Sequence, residues 1–184
     1  MLEFLIVALV FFAAVIWIYN QLVRDRNQVL AAWSDIDVQL KRRHNLVPQL
    51  ITTVKAYADF EKATMIAVTE LRTRSEAASH LPEKASLEKE IVSAIGRLTI
   101  LAENYPDLKA DENFRQLHTE LTDIENHIQY ARRFYNGAVR IFNTHVQSFP
   151  HFLLARVFKF QIAEFFEVEN ENIREAPSIN PQDI

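Results

Sequence analysis

The stretch AWSDIDVQLKRRHNLVPQL, residues 32 to 50, gathers two aspartates, a basic triplet and a histidine, the side chains from which acid–base or metal chemistry is built. Paired carboxylates can share a proton or flank one reacting atom only if they face each other. Asp35 and Asp37 are two residues apart, so on a helix they diverge by about 200°. Asp37 instead meets Lys41 four residues on, and Asp35 can reach Gln39. A di-iron bundle centre would require Glu-x-x-His on two helices. The residues three before the six histidines are Lys41, Ala77, Arg115, Ile124, Phe142 and Ser148, none of them glutamate. Asp123 and His127, four apart, are the best remaining pair for a minor metal site or an acid–base role, with a plain surface or hydrogen-bonded pair as the competing reading. The chain has no nucleophile elbow, no phosphate-cradling glycine loop and no His-Glu-x-x-His. With no cysteine there is no thiolate ligand, cysteine nucleophile or disulfide. These patterns describe a protein that is not an enzyme and has no cofactor.

The elements that would position these side chains are helices. Only two glycines and six dispersed prolines occur in 184 residues, too little punctuation for hairpins and short strands. Apolar residues recur at steps of three and four: Val29, Trp33, Ile36, Leu40, then Val47, Leu50, Val54, Tyr57, then Met65, Val68 and Leu71. The interval holding Arg43, His44 and Asn45, with Pro48 just beyond, marks either a turn or a kink. Asn45 can cap a new helix with Pro48 in its first turn, and a turn is favoured because one helix from 21 to 79 would rise ~90 Å against ~30 Å for the helix near 84–104 and would largely lack a partner. A loop is expected over SEAASHLPEKAS, residues 75 to 86, then a helix through Leu87, Ile91, Ile95 and Leu98. YPDLKADEN ends it, and a long helix follows from Phe114 to Val146. The expected class is all-α: an N-terminal transmembrane helix, an antiparallel up-and-down four-helix bundle and a short Phe-rich C-terminal helix.

The membrane segment is MLEFLIVALVFFAAVIWIYN. Phe4 to Ile18 is unbroken apolar sequence, and Leu2, Tyr19, Leu22 and Val23 extend it to roughly the 20 residues that span hydrocarbon. Glu3 precedes it and bulky residues end it, unlike a cleaved signal. Trp17 and Tyr19 suit the interface, and Arg24 and Arg26 place the rest of the chain in the cytoplasm with a short N-terminus outside. The domains read as an anchor over 1–23, in contact with membrane lipid, a helical body over 24–167 and a polar, flexible tail over 168–184.

A net charge of −4 argues against nucleic-acid binding. Two basic clusters remain. Lys41, Arg42 and Arg43 suit a helix C-terminus, with a docking surface as the alternative, and lie ~30 Å above the anchor if the helix is straight. Arg132 and Arg133 form the second. Phenylalanine is concentrated late: eight of thirteen lie beyond residue 130, six of them within residues 148–166. A helix over about 152 to 166, carrying Phe152, Phe158 and Phe160, would have to bury its apolar surface on the bundle, on a bilayer or between subunits. If the chain turns at 44–48, four alternating helices return this segment to the membrane, whereas one kinked rod would leave it far away.

These segments resemble the LemA family of bacterial membrane-anchored helical proteins. The resemblance rests on Tyr19-Asn20-Gln21-Leu22-Val23, on AWSDIDVQLKRRHNLVPQL with TVKAYADFE, on ENYPDLKADENF, on IENHIQYARRFYNGAVRIFNT and on SFPHFLLARVFKF with the later FFE. It implies an anchored four-helix bundle in the bacterial cytoplasmic membrane, an accessory rather than catalytic role, and other membrane or envelope proteins, or further copies, as partners. The chain departs from the family pattern at Lys55-Ala56-Tyr57, where the family has Lys-Gly-Tyr, and at Phe60-Glu61, where it has His-Glu. It departs again at Asn136-Gly137, for Asn-Asp, and at Phe158-Lys159-Phe160, for Phe-Gly-Phe. The last change is expected to make the C-terminal helix more amphipathic.

Overall fold

A computed structural model describes residues 1–57 and 62–166. Among these the chain is all-α, with helices α1 (Leu2–Tyr57), α2 (Lys62–Ala77), α3 (Leu81–Ala102), α4 (Pro106–Ala110), α5 (Glu112–Gln147) and α6 (His151–Val157). The segment at Phe60-Glu61 and the tail over 168–184 lie outside the described residues.

The favoured turn at 44–48 does not form. Helix α1 runs through Pro48 to Tyr57, about 84 Å at 1.5 Å per residue. Pro48 lacks the amide that would bond to the His44 carbonyl, a defect costing ~3 kcal/mol in a helix interior. Packing holds the helix together across it: Leu40, Val47, Leu50 and Val54 are buried on one face, while Pro48 faces solvent. Nor do Arg43 and His44 interrupt the apolar stripe, because both are buried in it.

Helices α1 and α5 lie side by side in opposite directions. Contacts pair Asp25 with His145, Trp33 with Tyr135, Arg43 with Glu125 and Tyr57 with Asp111. The paired numbers sum to 170, 168, 168 and 168, a constant register over most of α5. Asp111 fixes its start by accepting from the Phe114 amide at 2.9 Å as N-cap and from the Tyr57 hydroxyl at 2.9 Å. Met65, Val68 and Leu71 of α2 share one buried cluster with Leu87, Ile91 and Leu98 of α3 and with Val47, Leu50 and Val54 of α1, and the last turn of α2 reaches the level of His44. Only residues 78–80 separate α2 from α3, so the long loop expected over 75 to 86 is helix at both ends. Pro82 fits the first turn of α3 without loss, since the first amides of a helix have no internal acceptor. Lys84, near the start of α3, sits over the Trp33 ring at 5.9 Å, so this hairpin covers only the upper part of α1.

The expected Phe-rich helix over 152 to 166 is also corrected. Helix α6 stops at Val157, and the Phe160 amide bonds back to the Ala155 carbonyl at 2.9 Å while Lys159 takes a left-handed φ of 56°. This closure demands the conformation that glycine adopts most readily. Lys159 therefore ends a helix instead of making it more amphipathic.

Residues 160–166 then run without helical structure as a strap along α5. Asn143 donates to the Ala163 carbonyl at 2.9 Å and accepts from its amide at 2.8 Å. One helical stretch earlier, Asn136 does the same for Phe166 at 3.1 and 2.9 Å. Each side-chain amide completes both backbone groups of one strap residue, as a neighbouring strand would.

Candidate functional site

Two constellations of polar and aromatic side chains are assembled by this framework. The first is a buried ion cluster halfway up the body. Arg43 of α1 points its Nη2 at Glu88 Oε2 and its Nη1 at Glu125 Oε2, the latter at 2.6 Å. His44 places Nε2 at 2.8 Å from Glu88 Oε1, and the Ser75 hydroxyl donates to the same oxygen. Helices α1 and α2 thus converge on Glu88 of α3, and α5 joins through the Arg43–Glu125 pair; Glu88, Arg43, His44 and Ser75 are almost wholly sealed from solvent. Burial alone would raise the Glu88 carboxyl. The His44 hydrogen bond, the Arg43 charge and the Ser75 hydroxyl override it and hold the pKa down at about 2. A carboxylate so firmly ionised, inside a closed core, cannot exchange protons with a substrate near neutral pH. The arrangement fixes which faces of four helices meet, because any rotation would leave a charge buried and unpaired.

This cluster corrects the reading of the basic triplet. Lys41 is exposed and paired with Asp37 at 2.7 Å, and Arg42 is exposed beside Gln39, but Arg43 is 1 % exposed and faces inward. The triplet lies well inside α1, not at a helix end. Arg132 is half-buried, stacked 4.8 Å over Phe166, and its Nε and Nη2 lack a protein acceptor. Arg133 points outward over Tyr130 at 4.7 Å. Asp123 and His127 are both exposed, and no group of three metal-ligating side chains occurs among the described residues.

The sequence reasoning missed Glu88, Glu125, Ser75 and the inward role of Arg43 and His44. A signal existed. Arg43 falls three after Leu40 and four before Val47, so it occupies the buried phase of the stripe, and Glu88 falls three before Ile91. Opposite charges recurring in the core phase of different helices are the trace of a buried pair.

The second constellation lies where α1 leaves its apolar part. Ile18 and Leu22 are buried against Ala155 of α6. Asp25 meets His145 Nδ1 at 2.6 Å, His145 stacks on His151 with centroids 4.9 Å apart, and His151 approaches Trp17 at 6.1 Å. Burial and the neighbouring His145 lower the His151 pKa, with Asp25 acting in the opposite direction. Tyr19 contacts Phe158 at 4.8 Å and Phe160 at 6.1 Å. Phe160 is wedged between Tyr19, Phe142 and the Arg26 guanidinium, so it is a packing residue and not a free surface; Phe152 and Phe158 stay exposed. Ahead of these contacts, the helix is long and apolar enough to cross a membrane and is almost bare of protein packing.

An all-helical body pinned by a buried ion cluster and continuous with a helix long and apolar enough to cross a membrane defines a helical protein with one candidate membrane span. The chain belongs to the LemA family, whose model matches residues 32–180. It is 31% identical to Protein LemA of Metamycoplasma hominis over 131 residues, 71% of this chain and 60% of that protein's length. It is 25% identical to Magnetosome protein MamQ 2 of Paramagnetospirillum magneticum, covering 94% of this chain and 72% of the relative. For Magnetosome protein MamQ of Magnetospirillum gryphiswaldense the identity is 23%, covering 89% and 69%.

Proposed function

We propose that the protein is a noncatalytic, membrane-tethered helical scaffold or adaptor for other membrane and envelope proteins. In this reading it crosses the bacterial cytoplasmic membrane once, with a short N-terminus outside, and its body is an antiparallel up-and-down four-helix bundle of α1, α2, α3 and α5 in the cytoplasm. The observation that carries the reading is the continuity of α1: its apolar part and the core of the body are one helix, so the body is held upright on the membrane and not hung on a linker. The sealed core, with Glu88 held ionised, supports a structural role for the most conspicuous charges. The likeness to magnetosome proteins supports work at a membrane. The outward cations Lys41, Arg42 and Arg133 are the docking residues of this account, and further copies of the chain belong among its partners.

The test is capture of partners by the full-length protein from solubilised membranes, comparing the natural chain with a Lys41→Glu, Arg42→Glu, Arg133→Glu variant. Specific partners lost in the variant, with helicity and thermal stability unchanged, are expected. Stoichiometric metal retained by the purified protein after dialysis and lost in Asp123→Ala or His127→Ala would instead demand a metal-dependent role. Reporters fused after Ile184 test the orientation, and activity of a periplasm-dependent reporter alone would reverse it.

A further inference from the structure

The turn at the foot of the body exposes a group of large apolar side chains beside the end of the apolar part of α1. Phe149, Leu153, Val157, Phe158 and Ile162 are each about half or more exposed, Phe149 at 77 %. They belong to one short stretch packed against residues 17–22 of α1, through the Ala155 contact with Ile18 and Leu22 and the Tyr19–Phe158 ring contact. That level of α1 is where its apolar part ends.

The end of the span sets how deep this foot sits. The uninterrupted apolar run Phe4–Ile18 rises ~22 Å, and Leu2 and Tyr19 extend it toward the ~30 Å of hydrocarbon. Beyond Tyr19 the helix turns its apolar side chains from lipid to protein, Leu22 being 0 % exposed. The foot is packed at this level, where interfacial segments sink ~5–10 Å into the boundary between headgroups and acyl chains. The same two stretches carry exposed Arg24, Arg26, Arg156 and Lys159, against exposed Glu164, while Asp25 is occupied by His145. Exposed apolar side chains and an excess of cations, beside interfacial Trp17 and Tyr19, match the chemistry of an anionic phospholipid surface.

We propose that residues 149–162 form a second membrane-contact site, a foot that sinks into the headgroup layer of the leaflet from which α1 emerges and binds anionic phospholipid there. The foot fixes the tilt of the body. The proposal rests on α1 crossing the bilayer, so its test includes a probe of the span itself.

Because the chain has no native cysteine, single spin labels go on the full-length protein at Leu153→Cys and Val157→Cys in the foot. Val10→Cys marks the span and Ile66→Cys an exposed position high on the body. The probe is collisional relaxation by oxygen, which partitions into lipid, and by a water-soluble nickel complex, in phosphatidylglycerol-containing nanodiscs holding one chain each. The foot labels are expected to be several-fold less accessible to nickel than position 66 and to respond more strongly to oxygen. Adding Arg156→Glu and Lys159→Glu should raise nickel access at position 153. Foot labels as open to nickel as position 66, with position 10 lipid-buried, would overturn the foot alone. Nickel access at position 10 would overturn both the span and the foot. Protection seen only in crowded proteoliposomes and absent in single-chain discs would assign the patch to a second copy and refute the lipid site.

Discussion

Replacing Glu88 by glutamine removes one charge from the centre of the body while nearly conserving shape, and the structure sets the cost. The carboxylate accepts from Arg43, His44 and Ser75, and its pKa lies at about 2 instead of 4.5. At about 1.36 kcal/mol per unit this is roughly 3 kcal/mol of folding free energy, the range expected for removing one partner of a buried pair. Because the folded-state pKa is depressed, the contribution is complete above about 4.5 and disappears as the pH falls toward 2. Urea unfolding of the full-length protein in nanodiscs, followed by helical circular dichroism, should show Glu88→Gln to be ~3 kcal/mol less stable at neutral pH. On acidification the gap between the two proteins should close within that window, since other carboxylates titrate in both. A gap below ~1 kcal/mol at neutral pH, the scale of an exposed ion pair, or a gap that does not change with pH, would refute the assignment of Glu88 as the pinned anion of the core.

Lys159→Gly should stabilise the protein by about 0.5–1 kcal/mol, because it relieves a left-handed backbone at 56° that a side chain disfavours; a lower melting temperature would show that Lys159 has a stabilising role. Pro48→Ala restores an amide within α1 on a solvent-facing position and should raise stability by up to ~3 kcal/mol, with an unchanged or lowered midpoint as the contrary result. Asn136→Ala deletes two hydrogen bonds to Phe166, about 2 kcal/mol, so amide exchange at Phe166 should accelerate roughly 30-fold. Uniform acceleration along α5 would mean instead that the substitution loosens the whole body.

The helical class and the apolar span were legible because both depend on short-range pattern: few glycines, apolar steps of three and four, and an uncharged run from Phe4 to Ile18. The first reversal of the chain was misplaced by roughly two and a half turns, from Pro48 to beyond Tyr57, for two physical reasons. Proline is read as a breaker although on a solvated face its lost hydrogen bond is tolerable, and Arg43 and His44 are read as a polar gap although they are core. The partners that make them core, Glu88 and Glu125, lie 45 and 82 residues away, so no local window contains the pair. The body keeps four long helices despite the shifted reversal, so residues 149–162 return to the base of the apolar helix although α1 is one rod; the expectation that a rod would leave them far away fails because the chain still reverses three times after it. The strap is the least legible part. An apolar stretch rich in phenylalanine reads as helix, and only the left-handed Lys159 and the receiving Asn136 and Asn143 reveal that it is extended.

The central claim is that α1 rises unbroken from the membrane and α5 returns beside it in the opposite direction, bringing the end of the chain back to the anchor. Paired cysteines joined by a short bismaleimide in native membranes test it directly. Tyr19→Cys with Phe158→Cys, and Tyr57→Cys with Asp111→Cys, flank contacts at the two ends of this pairing. Both pairs should crosslink within one chain, and Tyr19→Cys with Asp111→Cys should not, because about 38 residues of α1, ~57 Å, separate their levels. Crosslinking of position 19 to 111, or failure of both expected pairs in folded protein, would contradict the account.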